Sequence, residues 1–252
     1  MSTCLVVQHA EPESAFAIAD ALKAAGVSVD TRRVYEGDAL PETVTGLDGL
    51  VVMGGSMAAY SDEGFPSRND ELILLADAVN SGKPTLGVCL GAQLVAVAAG
   101  GSAYRGASGG EIGWLRVSST EECPEDPLFA GVPQELTVLQ WHGDTFDLPP
   151  GAALLMSSPT YPNQAFRIGD VVWGLQFHLE VDVPAVEGFL DAFASELKDI
   201  SEGPDGMRRD APSAVHALSP WRDLVLGRFA RLVADRASGG GPLAGRVRSI
   251  ES

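Results

Sequence analysis

Basic residues are scarce in this chain: 17 lysines and arginines stand against 34 acidic residues, a formal charge of −17. That balance excludes the clustered lysines and arginines on which nucleic-acid backbones are bound, so no nucleic-acid partner is expected. Cysteine is scarce too. Cys4, Cys89 and Cys123 stand far apart, with neither zinc-ligand spacing nor an even disulfide framework. A reduced, intracellular setting without a structural metal is the expectation. Long hydrophobic runs are missing, and no stretch reaches the length that spans a bilayer, so no membrane partner is expected either. The opening residues Met1-Ser2-Thr3-Cys4-Leu5-Val6-Val7 lack the basic region of a signal peptide. A cytoplasmic location follows as an expectation.

What is there is an ordinary globular composition. The chain has 252 residues, 45% of them hydrophobic, enough for one large α/β domain or one with an appendage. The apolar run over 4–8 predicts a buried strand, and helical spacing over 14–25 (Phe16, Ile18, Ala19, Leu22) predicts a helix closed by Gly26. Residues 27–33 alternate as a second strand. Leu50-Val51-Val52-Met53 is a third, ending at Gly54-Gly55. A helix is expected over 70–80, with Ser81-Gly82-Lys83-Pro84 as its stop signal, and a fourth strand then leads into Cys89. The order β-α-β-β-α-β-α implies a mostly parallel sheet covered on both faces.

After Gly100-Gly101 the pattern changes to short strands at 114–117, 137–140, 153–156, 164–168 and 171–177, an antiparallel or mixed extension of the first sheet. Helix returns over 183–198, with Pro184 in its first turn. Residues 202–219 are polar and weakly patterned. A last helix is predicted over 220–234, with Leu224, Leu226, Phe229 and Leu232 on its buried side, and a frayed tail from 238. The division expected is one domain over 1–198, with 199–252 as a helical extension and tail packed on it.

The stretch with the most chemistry in it is Gly87-Val88-Cys89-Leu90-Gly91-Ala92-Gln93. It reads as strand, sharp turn and helix with a thiol at the bend, flanked by glycines as a tight turn packed against a sheet requires. A helix N-terminus favours the thiolate, which is the nucleophilic form. Trp173-Gly174-Leu175-Gln176-Phe177-His178-Leu179-Glu180 supplies the rest of a triad. If strand geometry persists, His178 and Glu180 point to the same side, the first as base for Cys89 and the second as the carboxylate that orients it. Gly54-Gly55 follows a strand at the edge where open α/β sheets bind ligands, and its N–H groups can join the amide of Leu90 in facing an oxyanion. Taken singly, each stretch has a bland counterpart: an inert buried cysteine, a solvent-facing strand-end histidine, an ordinary turn. In combination they are specific.

Together with Gln140-Trp141-His142-Gly143-Asp144, these motifs resemble the triad (class I) glutamine amidotransferases, and most of all the stand-alone members similar to the glutaminase part of GMP synthase. The resemblance covers roughly residues 4–193. It implies a flavodoxin-like three-layer sandwich: a mostly parallel central sheet, helices on both faces and an antiparallel extension. It also implies that Cys89 attacks the side-chain amide of glutamine, with His178 and Glu180 completing the triad and Gly55 and Leu90 giving oxyanion N–H groups. Gln93 would contact the substrate, and Trp141, His142, Gly143 and Asp144 would line its amino-acid end, Asp144 facing the ammonium. Where the family often reads Gly-Gly-Pro-Gly, this chain has Gly54-Gly55-Ser56-Met57, which keeps Gly55 and passes the second backbone contact to Met57. Leu179 stands where many members have proline between the triad residues. Glu111 also looks family-like, but a surface carboxylate is the simpler reading. His9 and His216 read as incidental.

No cofactor or metal is called for. The chain carries neither a P-loop nor an ATP-pyrophosphatase-like signature, so an ammonia acceptor is expected as a synthetase on another chain, if one exists. The alternatives are a γ-glutamyl peptidase using the same triad, a non-catalytic regulatory module and, ranked lowest, a thiol redox protein. The sequence sets no oligomeric state.

Overall fold

The structure is a computed structural model that describes residues 2–194, 197 and 203–236. Its first half follows the expected order: β1 (Thr3–Gln8), α1 (Phe16–Ala24), β2 (Ser28–Arg33), β3 (Gly49–Val52), α2 (Arg68–Asn80), β4 (Thr85–Val88) and α3 (Leu90–Ala98). The second half contributes β5 (Ser102–Arg105), β6 (Glu111–Ser119), β7 (Glu135–His142), β8 (Asp144–Asp147), β9 (Ala153–Ser157), β10 (Ala165–Ile168), β11 (Val172–Leu175), α4 (Val183–Ala192) and α5 (Gly203–Arg236).

One nine-stranded sheet runs β2-β1-β3-β4-β11-β10-β9-β6-β7. The pairings from β2 through β11 are parallel, and those from β11 to β7 are antiparallel. The chain therefore has the flavodoxin-like parallel core and the antiparallel extension expected of it. Alternation along β1 builds the three layers. Cys4 and Val6 point into a core with Ile18 and Leu22 of α1 and Leu226, Phe229 and Val233 of α5. Leu5 and Val7 point the other way, into a core with Leu74, Leu75 and Ala78 of α2 and Ala92, Val95 and Ala96 of α3. With both faces covered, β3 and β4 are buried along their whole length, which is why they read as continuous apolar runs.

The C-terminal part departs from expectation. The weakly patterned segment 202–219 is not a connector: α5 is continuous from Gly203, with Pro212 and Pro220 inside it. Its early turns bury Met207 and Ala211, one turn apart, against α4 and Trp141, while Leu218 and later residues pack beneath the parallel sheet. Tertiary burial of that sparse stripe outweighs the local cost of the prolines. Helix α4 ends at Ala192, short of the expected Lys198, and Phe193 turns its ring onto Trp141 at 6.0 Å. Residues 195, 196, 198–202 and the tail expected from 238 lie outside the described residues. The small antiparallel pair β5-β8 had no signal in the pattern. Among the described residues no helix is long and apolar enough to cross a membrane.

The parallel strands bring their carboxyl ends to one edge of the sheet. His9 follows β1, Gly54 and Gly55 follow β3, Cys89 follows β4, and residues 176–180 follow β11. Segments distant in sequence therefore meet around Cys89.

Candidate active site

The bend at Cys89 is strained. Its φ of 52° and ψ of −109° lie outside the regions open to a side chain, between the last residue of β4 and the first of α3. The glycines around it are required sterically: a Cβ on Gly91 would collide with the Val52 carbonyl, and one on Gly87 with the Gly91 carbonyl. Without those side chains α3 starts directly on the ends of β3 and β4. The Cys89 N–H donates to Leu175 O at 2.8 Å, which ties the bend to β11.

His178 lies just past β11 rather than within it. Its N–H donates to Leu139 O at 2.8 Å, and its ring sits edge-on to Phe189 with centroids 5.0 Å apart. Nδ1 is 2.8 Å from Glu180 Oε1, and both side chains are buried. Since the carboxylate accepts, Nδ1 carries the proton and Nε2 is left for the thiol. Nε2 is buried without a hydrogen-bond partner among the described residues. The Cys89 thiol contacts Trp141 O at 3.6 Å, and Gln176 Nε2 lies 3.8 Å from the sulfur. His178 is within electrostatic reach of Cys89, although no hydrogen bond of ordinary geometry joins Nε2 to the sulfur.

Charge in the site is set by opposing effects. Burial pushes the Cys89 thiol up, against the lowering by His178 and the Leu90 N–H, and the thiol ends above its ordinary value. Burial alone would lower His178, but the Glu180 charge, the nearby Cys89 sulfur and the hydrogen bond to Glu180 hold it well above its ordinary range. The other two thiols have no histidine among the causes of their shifts. Burial pushes Cys4 far up, and burial with the Asp126 charge pushes Cys123 up to about 11.

These groups sit at the base of an open cleft of about 630 Å³, lined by Cys89, Gly55, Met57, Gln93, Trp141, His142, Gly143 and Asp144 among others. The structure thus brings together all of these candidates, with Leu90 packed on Gly55 and the His178–Glu180 pair behind Cys89. Some cleft residues escaped sequence reasoning: Glu13, Arg105, Ile112 and Phe193. Arg105 Nη1 lies 3.6 Å from Asp144 Oδ1, so the cleft mouth carries a cation beside an anion. Arg105 stands on β5, whose pairing with β8 had left no trace in the sequence.

Glu111 is no surface carboxylate. It is 3% exposed and is the hub of a buried network. His142 Nε2 lies 3.2 Å from its Oε2, Gln164 Nε2 donates to Oε2 at 2.7 Å, and Ser158 Oγ donates to Oε1 at 2.8 Å. Gln140 Nε2 extends the chain to Gln164 Oε1 at 2.7 Å. Burial would raise the Glu111 carboxyl, yet hydrogen bonds from His142 and Ser158 hold it below the ordinary carboxylate range. His142 Nδ1 faces the Asp144 carbonyl at 2.9 Å, so both ring nitrogens are engaged in holding the loop rather than aimed at the thiol. Glu111→Ala strands three buried polar partners at once, and a loss of about 3 kcal/mol in stability is expected. Thermal denaturation checks this, and a stability within about 0.5 kcal/mol of wild type would show the network carries no weight.

Comparison with known proteins decides the family. The model of the family "Glutamine amidotransferase class-I" matches residues 13–187. The chain belongs to the class I glutamine amidotransferases. It is 34% identical over 197 residues to the glutamine amidotransferase-like protein YfeJ of Salmonella typhimurium, covering 77% of this chain and 82% of that one. It is 36% identical over 151 residues to the glutamine-hydrolyzing GMP synthase of Porphyromonas gingivalis, but spans only 28% of that protein while 59% of this chain is matched. Gamma-glutamyl peptidase 4 of Arabidopsis thaliana is 31% identical over 160 residues, 62% of each chain. A solved glutamine amidotransferase of Thermotoga maritima superposes with a TM-score of 0.82 at 32% identity, over 91% of this chain and 98% of that one. Class I amidotransferases are enzymes.

Proposed function

We propose that this chain hydrolyses the γ-carboxamide of glutamine through a thioester on Cys89. What supports this reading is one alignment: Glu180 holds His178 with Nε2 directed away from it, behind a thiol on a strained bend at the base of the cleft. As Sγ adds to the amide carbon, the thiol proton passes to His178 Nε2 and the carbonyl electron pair becomes an oxyanion. The N–H groups of Gly55 and Leu90 are its donors. Collapse breaks the C–N bond, and His178 hands its proton to the departing nitrogen, releasing ammonia. Water, deprotonated by His178, then adds to the thioester carbon. The C–S bond breaks, glutamate leaves and the proton returns to sulfur. No step needs a cofactor.

At the far end of the substrate, Asp144 faces the α-ammonium and Arg105 the α-carboxylate, a pairing complementary to a zwitterion. Gln93, Met57, Trp141, His142 and Gly143 form the walls. An ammonia acceptor, if the reaction has one, is a synthetase on another chain, and a cytoplasmic setting fits the reading.

A second reading has one observation in its favour. Gly110, Ile112 and Phe193 also line the cleft, and its volume of about 630 Å³ suits a ligand larger than one amino acid. A γ-glutamyl peptidase would use that room for the residue beyond the γ-amide. Comparing kcat/KM for glutamine and for γ-glutamyl dipeptides, with product glutamate measured, separates the two. Glutamine is expected to be favoured by about tenfold or more; the reverse ratio would transfer the site to γ-glutamyl conjugates. No turnover of either would sink both readings.

A further inference from the structure

A third buried histidine–carboxylate pair stands behind the cleft, and the mechanism above leaves it unused. His9, dismissed in the sequence as incidental, follows β1 with its side chain fully buried. Its Nε2 is 2.8 Å from Glu71 Oε2 on α2, and its Nδ1 is 2.9 Å from the Gly54 carbonyl oxygen. Ser67 Oγ donates to the other Glu71 oxygen at 2.7 Å, which fixes the carboxylate. Phe65 closes the ring's edge, with centroids 5.6 Å apart at 86°. The ring also lies under Gly55, where an added Cβ would approach His9 Cβ to 2.9 Å.

We infer that His9 is a positioning residue for the oxyanion site: it clamps the Gly54–Gly55 peptide so that the Gly55 N–H faces the cleft. This rests on the assignment of Gly55 as an oxyanion donor. A trans peptide is planar, with its C=O and N–H pointing in opposite directions. Holding the Gly54 oxygen on the His9 side therefore turns the Gly55 N–H to the opposite side. The clamp matters here because a Gly-Gly peptide has little conformational preference of its own. An oxyanion donor acts without reorganisation only if its orientation is set before the charge develops.

Both ring nitrogens face acceptors, which an imidazolium satisfies with two N–H donors. Burial would lower the His9 pKa, but the Glu71 hydrogen bond and charge, the Gly54 carbonyl and the Glu13 charge outweigh it and hold it above the ordinary value. The relay from Ser67 through Glu71 and His9 to Gly54 thus ties α2 to the oxyanion peptide by bonds spanning 62 and 45 positions of sequence.

Two amide substitutions divide the ring's functions. Asparagine carries its amide nitrogen three bonds from Cα, where Nδ1 sits, and can still donate to Gly54 O. Glutamine places it one bond further, toward Glu71, and cannot. His9→Gln is expected to lose about 30-fold in kcat with KM within about 3-fold of wild type, since the oxyanion exists only in the transition state. His9→Asn is expected to stay within about 5-fold of wild-type kcat. Glutamine turnover and thermal denaturation are measured for all three proteins. Equal losses in the two variants, a loss confined to KM, or a loss that tracks only the denaturation temperature would overturn the inference while leaving the Cys89 reading intact. A wild type that turns over no γ-amide would overturn that reading, and this inference with it.

Discussion

Cys89→Ala is expected to abolish glutamine hydrolysis, by about 10⁴-fold or more in kcat, without unfolding the protein. In the proposed mechanism Cys89 forms the covalent intermediate; removing such a nucleophile leaves only binding and the proposed oxyanion site, and losses of that order or larger are what such removals cost. The fold is not expected to depend on the sulfur: its contacts with Trp141 O and Gln176 Nε2, at 3.6 and 3.8 Å, are weak. Cys89→Ala also retains the backbone strain, because alanine tolerates φ of 52° no better than cysteine. Glycine does tolerate it. Cys89→Gly, equally inactive, is therefore expected to be the more stable of the two dead variants by about 1 kcal/mol, strain relief of about 1–3 kcal/mol being partly offset by the greater freedom of glycine in the unfolded chain. Turnover with chemical denaturation of both variants checks this. Residual activity near wild type in Cys89→Ala would end the thioester mechanism. Cys89→Gly less stable than Cys89→Ala would show that the bend stores no strain.

How much of this site could be read from the sequence follows from how local each part is. The bend at Cys89 was legible because strand, glycines and helix are contiguous, and sterics alone demand Gly87 and Gly91. The His178–Glu180 pair was legible from its spacing, although the strand stops at Leu175 and a single bridge to Leu139 continues the alternation. His9 and Glu111 were not. Neither has a partner in its own segment, and partners that give them a function lie 62 and 53 positions away on other elements. No local pattern marks such a pairing; only its burial does. Arg105 failed for the same reason, since β5 finds its partner β8 about forty residues on.

The fold divides along the same line. The parallel half announces itself because strands covered on both faces must be apolar throughout. Helix α5 hides because only a sparse stripe of its early turns is buried, and Pro212 and Pro220 argue against helix locally. What places it is the surface offered by Trp141 of β7 and by Phe189 and Leu190 of the preceding helix α4.

Glu180→Gln is the change that separates the triad from a mere cysteine–histidine pair. Glutamine keeps the size of the side chain but can present an amide N–H to Nδ1, which favours the wrong tautomer and places the proton on Nε2, where the thiol proton must go. A fall in kcat of about 10⁴-fold is expected from that cause. The pH dependence has a definite sign. In the proposed mechanism activity requires a proton on His178 for the leaving nitrogen, so the basic limb of kcat/KM is expected to follow the loss of that proton from the Cys89–His178 pair. Glu180 raises the His178 pKa, hence its removal lowers it, and the basic limb is expected to move to lower pH. Stability follows the same linkage. A histidine whose pKa is raised by folding stabilises the native state fully below its unfolded value, and that contribution disappears as pH rises through the raised folded value. The wild type should therefore exceed Glu180→Gln in stability at neutral pH, and the gap should narrow under alkaline conditions. Rate profiles and denaturation measured across pH on both proteins test the two claims together. An unmoved basic limb would mean that Glu180 does not set the charge of His178, and the carboxylate would then be only a packing partner of the ring.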